Sequence, residues 1–103
     1  MTTLTPQQVA ERCAEIMWPD DKAAQGLGIS LERVAPGEAV TRMTVRDDMV
    51  NGHDICHGGF IFALADSAFA YACNTFNVRT VASGVDINFI APAHKGQVLT
   101  AHG

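Results

Sequence analysis

The chain has 103 residues, 48% of them apolar and 17% charged, with a net charge of −4. That length excludes more than one small domain, and a chain so short buries only a modest core of its own. Lysine and arginine fall singly, which excludes the basic stripe of a nucleic-acid binder.

The amino terminus, MTTLTPQQ, lacks the basic and apolar regions of a secretory signal. No uncharged apolar run reaches the roughly 20 residues of a bilayer span. Cys13, Cys56 and Cys73 are odd in number and widely spaced, a usage that fits reduced thiols. A cytoplasmic protein is the expectation.

Thr5-Pro6-Gln7-Gln8 reads as a helix start, with Thr5 as cap, Pro6 in the first turn and Gln8 closing a capping box. Val9, Cys13, Ile16 and Met17 then share one face, and Pro19 ends the helix. A short helical turn follows from Asp20 to Gln25, closed by Gly26 or Gly28. From Ile29 the period becomes two. Residues 29–35 and 38–46 read as strands joined at Pro36-Gly37. In the second, Ala39, Thr41, Met43 and Val45 face one way and Glu38, Arg42 and Arg46 the other, so one face packs and one is wet.

A polar loop from Asn51 then opens into a helix running from about His57–Gly59 to Asn74, apolar nearly all round and therefore expected to be buried. Residues 81–90 alternate as a long strand, Pro92 to Gly96 turns, and residues 97–102 begin another strand. The fold class expected is α+β, an antiparallel sheet wrapped around one long central helix. Residues 1–19 form an N-terminal helical segment and 20–103 the main domain. Two strands after the helix are few for such a wrap, so that domain is expected to be C-terminally incomplete.

Chemistry concentrates between Asn51 and Asn74. Asp66 is the one charge from Gly58 to Val78. Its helical neighbours Phe62, Ala63, Phe69 and Ala70 provide no partner, and a partly desolvated carboxylate is a plausible base or nucleophile. A solvated or ion-paired acid at an inter-chain seam is the plainer reading. Gly58-Gly59 stands where unpaired N–H groups and the positive end of the helix dipole point outward, an oxyanion-hole arrangement in principle. Asn51 has an amide that suits a water or carboxylate oxygen, or merely an Asn-Gly turn, and His57 suits a loop-orienting role. His53, Cys56 and His57 fall short of the four ligands of structural zinc, so no metal is expected. Asp66 lies roughly 12 Å past Gly58 at about 1.5 Å per helical residue. One carbonyl does not easily meet both, so the site is expected to be shared between antiparallel helices of two subunits, with Ala63, Ser67 and Ala70 at the seam.

The segment NGHDICHGGFIFALADSAFAYACNT, with VASGVDINFIAPA after it and GLGI before it, closely resembles the active-site region of PaaI-type thioesterases of phenylacetate degradation, in the hotdog superfamily. The resemblance covers roughly residues 20–103. It implies a hotdog fold, a dimer or tetramer, and cofactor-free hydrolysis of aromatic acyl-CoA such as phenylacetyl-CoA or hydroxyphenylacetyl-CoA. By position it implies Asp66 as nucleophile or general base and Gly58 as N–H donor to the thioester carbonyl. Asn51 would position water or carboxylate, His57 would support the loop, and Gly59, Ser67 and Ser83 would contact substrate. Lys95 and Arg79 are candidates for the CoA phosphates or plain surface charges. A thiol with a pKa near 8.5 leaves as thiolate without a general acid, so one carboxylate, one water and one donor suffice. Rival readings are a hotdog hydratase or dehydratase, using His57, and a non-catalytic acyl-CoA binding module.

Overall fold

The computed structural model describes residues 3–103. Helix α1 spans Pro6–Met17; Thr5 accepts from the Gln8 N–H while the Gln8 side chain accepts from the Thr5 N–H, completing the expected capping box. Its buried face differs from the expected one. Ala10 and Ala14 are buried, whereas Ile16 is 64% exposed. Small side chains at i and i+4 let the α1 backbone come close to its neighbours, and the Gln7 amide donates to the Val34 carbonyl at 2.8 Å. A 3-10 turn at Trp18–Asp20 leads to the short α2, Lys22–Gly26, capped by Asp21.

Strands β1 (Ser30–Ala35) and β2 (Glu38–Thr44) form a hairpin, bulged between Leu31 and Arg33. At its turn Pro36 presets the backbone and Gly37 adopts φ +74°, a conformation that side chains disfavour. Strand β3, Val98–His102, pairs antiparallel with the other side of β2, and Gly103 extends that pairing by exchanging two hydrogen bonds with Ala39. The sheet order is β1-β2-β3.

Helix α3, Gly58–Cys73, lies across this sheet. The expected inner face of β2 is the packed one: Ala39, Thr41, Met43 and Val45 are each at most 1% exposed. Opposite them α3 buries Leu64, Ala68, Tyr71 and Ala72. The buried Thr41 hydroxyl donates to the Leu64 carbonyl at 3.2 Å. No buried side-chain nitrogen or oxygen among the described residues is left without a partner.

Two expectations are corrected. Helix α3 is not buried all round: three strands cover one side, leaving Ala65, Asp66 and Phe69 exposed on the other. Residues 81–90 form no strand, although Val81, Val85, Ile87 and Phe89 keep their apolar alternation and are all exposed. Alternation specifies which way side chains point. A ladder also needs a neighbouring backbone, and none lies alongside this stretch among the described residues. No described helix is long and apolar enough to cross a membrane.

A long-range hydrogen bond and the packing around it tie the N-terminal segment to α3. The Tyr71 hydroxyl donates to Asp21 Oδ2 at 2.9 Å while Asp21 Oδ1 caps α2, and Trp18 packs against the Tyr71 ring. Burial first, then the hydrogen bond and charge of Asp21, raise the Tyr71 phenol above its ordinary value. On unfolding that proton is released from about pH 10 upward, so the contact's stability is present below pH 10 and is lost as pH rises beyond it. Tyr71→Phe is expected to cost about 1.5 kcal/mol at neutral pH and to flatten the alkaline loss of stability. Urea denaturation at pH 7 and above pH 10 measures both, and coincident stabilities of the two proteins at both pH values would show that the contact contributes nothing.

Candidate active site

The loop entering α3 is built by its own backbone and by one side chain. Asn51 Oδ1 accepts from the His53 N–H at 2.8 Å and the Ile55 N–H at 3.4 Å. Asn51 also exchanges backbone bonds with Ile55 and Asp54, and Asp54 takes φ +64° to close the turn. Because both neighbours of the amide oxygen are N–H donors, the oxygen must face them. Nδ2 is therefore the end of Asn51 left to donate elsewhere. The Cys56 N–H donates to the Ala93 carbonyl and the His57 N–H to the Met49 carbonyl, each at 2.7 Å, locking the loop onto its surroundings.

His57 caps α3. Its Nδ1 accepts from the Gly59 N–H at 3.2 Å and its carbonyl from the Phe60 N–H at 3.0 Å, while its ring meets Phe60 edge-on. An accepting Nδ1 places the proton of the neutral ring on Nε2. The Gly58 N–H finds no acceptor among the described residues. It is thus an uncommitted donor at the positive end of a 16-residue helix, whereas the Gly59 N–H is already taken.

Asn51, His57, Gly58 and Gly59 all line one cavity of about 770 Å³. Its remaining walls are apolar apart from Cys56: Ile55, Ile61 and Phe62, then Phe89, Ile90, Ala91 and Pro92 from the irregular stretch. Asp66 lies elsewhere. It lines a smaller cavity of about 230 Å³ with Phe62, Phe69 and residues 84–87, and it makes no salt bridge or side-chain hydrogen bond among the described residues. Phe62 is the wall common to both cavities. Within one chain the structure therefore gathers the loop and glycine residues but keeps the acid apart from them.

Other candidates are placed as follows. The Ser67 hydroxyl donates back to the Ala63 carbonyl at 2.9 Å, and Ser83 lies exposed outside both cavities. Lys95 pairs with Asp47 at 3.3 Å, and Arg79 is exposed beside the end of α3. The Cys56 thiol is pushed up by burial and stays protonated at neutral pH. Among the described residues no three His, Cys, Asp or Glu side chains group as metal ligands. Two residues escape the reading from sequence. Asp86 lines the Asp66 cavity, its signal being a lone charge within an apolar alternation. Phe89 rests against Gly58, a contact across 31 positions that local patterning does not encode.

Comparison with known proteins identifies the frame in which this site sits. The family model described as the thioesterase superfamily matches residues 53–103. The acyl-coenzyme A thioesterase PaaI of Escherichia coli (strain K12) is 48% identical over 88 residues, 85% of this chain, and the chain spans 63% of that relative's length. The solved structure of the E. coli PaaI protein from the phenylacetic acid degradation operon superposes with a TM-score of 0.93 at 44% identity, over 95% of this chain and 71% of that one. A variant of the phenylacetic acid degradation protein PaaI from Thermus thermophilus gives 0.77 at 40% identity, over 80% and 70%. With its long helix laid on an antiparallel sheet in the hotdog manner, the chain belongs to the thioesterase superfamily, in its PaaI-type branch.

Proposed function

We propose that this chain hydrolyses acyl-CoA thioesters of small aromatic acids, such as phenylacetyl-CoA or hydroxyphenylacetyl-CoA, to the free acid and CoA. The observation that carries this reading is the Gly58 N–H, an unengaged donor at a helix N-terminus opening on an apolar cavity that also holds Asn51. The named activity of the E. coli relative supports it.

In the proposed reaction the thioester oxygen accepts from the Gly58 N–H, which polarises the carbonyl and holds the negative charge of the tetrahedral intermediate. Asp66 acts as general base on the attacking water, or as nucleophile forming an anhydride that water then hydrolyses to the free acid. Collapse breaks the C–S bond and the thiolate departs without an acid. Asn51 Nδ2 positions the water or the carboxylate. His57 supports the loop by holding the Gly59 N–H, and its committed Nδ1 argues against the hydratase reading.

The separation of the two cavities supports a site shared between two copies of the chain, Gly58 of one facing Asp66 of the other. The exposed face of α3 and the exposed apolar residues at 81, 85, 87 and 89 are a surface large enough to want a partner. We place the active unit as a homodimer, pairing further into a tetramer. Three free thiols fit the reducing cytoplasm as its location.

Three outcomes test this. Asp66→Ala is expected to lower thiol release from phenylacetyl-CoA about 1000-fold while keeping the oligomer; release at the wild-type rate would sink the assignment. Asn51→Asp keeps an oxygen for the His53 and Ile55 N–H groups but removes the amine donor. It is expected to leave the melting temperature within a few degrees and to lower kcat roughly 10- to 100-fold, and an unchanged kcat counts against the role. Mixed dimers of Asp66→Ala with Gly58→Pro are expected to recover about half the wild-type activity per dimer, because one of the two sites is rebuilt. Absence of recovery in isolated mixed dimers excludes the shared site.

A further inference from the structure

We infer that Asn74 is a positioning residue for the shared site: its amide sets the register in which residues 81–89 lie along α3 and meet the second copy of the chain. The inference rests on the two-copy reading above. Asn74 directly follows the last residue of α3 and is half-buried. Its Oδ1 accepts from the Thr80 N–H and its Nδ2 donates to the Thr80 carbonyl, each at 2.9 Å. The same Nδ2 donates to the Ala70 carbonyl at 2.8 Å, tying the clamp to the helix. An amide is the side-chain counterpart of a peptide group, so Asn74 pairs with Thr80 as a residue on a neighbouring antiparallel strand would. A carboxylate offers the acceptor without the donor, and alanine offers neither.

From Thr80 the chain runs back along α3 against the helix direction. Residues 84–87 share a cavity with Phe62, Asp66 and Phe69, and Phe89 rests against Gly58. Among the described residues the backbone of 81–92 makes no hydrogen bond, and the next fastening is that of the Ala93 carbonyl to the Cys56 N–H at 2.7 Å. The register of the stretch is therefore set at its two ends. A slip of one residue would exchange the row Val81, Val85, Ile87 and Phe89 for Ala82, Gly84, Asp86 and Asn88. The first row is the one assigned to the partner copy. The second would bring a carboxylate and an amide to the same face, where covering them without hydrogen bonds is costly. With Thr80 held, the free chain already presents the apolar row, and association does not have to order it.

The test uses the full chain and the variants Asn74→Ala, Asn74→Asp and Thr80→Pro. Asn74→Ala is expected to raise the dimer dissociation constant about tenfold, measured by sedimentation, and to speed hydrogen exchange at the Thr80 amide. Thiol release from phenylacetyl-CoA is expected to fall off at a correspondingly higher protein concentration and to return as the protein is concentrated. Asn74→Asp, which keeps only the bond from the Thr80 N–H, is expected to fall between Asn74→Ala and the wild type. Thr80→Pro removes that N–H while leaving Asn74 on Ala70, and a dissociation constant raised in the same direction separates the register role from helix capping. If Asn74→Ala does not fold, the other two variants carry the test. A lowered melting temperature with an unchanged dissociation constant in the folded variants would mean a helix cap and nothing more, and overturns the inference. A wild type that does not dimerise overturns the two-copy reading itself, and the register inference with it.

Discussion

The close approach of α3 to β2 is the constraint on which the rest of the structure depends. Alanines at 39, 68 and 72, and Thr41 between them, keep side-chain bulk low where strand and helix meet. The Thr41 hydroxyl then bridges the gap by donating to a helix carbonyl. Larger residues fill the two ends, with Met43, Val45, Met49 and Leu64 in one cluster and Tyr71 with Trp18 in the other. A larger residue at 68 or 72 would lift the helix off the sheet, and with it the glycine end that forms the candidate site. Packing of this density transmits small volume changes over several residues.

Much of this is legible in the sequence, and the parts that are not share a cause. The capping box of α1, the inner face of β2 and the limits of α3 are each written within a few residues, in cap chemistry or in a period of two or 3.6. The stretch from 81 to 90 reads wrongly as a strand because its alternation describes two faces and carries no information about which backbone lies beside it. The burial of α3 is overestimated for a related reason: apolar composition says nothing of how many strands lie against the helix, and the three described here reach one side. Contacts between distant positions, Tyr71 with Asp21 and Phe89 with Gly58, have no local signal at all.

The candidate site is legible as residue types and only partly as geometry. Asn51, His57 and the two glycines are expected together, and they share a cavity. Their division of labour depends on hydrogen bonds that spacing does not show. Asn51 holds the turn with its oxygen and so offers its amine, and His57 takes the Gly59 N–H and so leaves Gly58 as the open donor. One side chain thereby decides which of the two glycine N–H groups is engaged.

The end of α3 remote from the glycines has a consequence for how the site can move. Thr75 is 2% exposed; its hydroxyl donates to the Ala72 carbonyl and accepts from the Gly37 N–H, each at 2.8 Å, fastening the helix to the β1–β2 turn. At the opposite end the His57 N–H is fastened to Met49. A helix clamped at both ends behaves as a beam: axial sliding or rolling breaks an inward-facing hydrogen bond wherever it begins. The N–H of Gly58 is therefore a stationary reference point, and a bound molecule has to place its own acceptor against it.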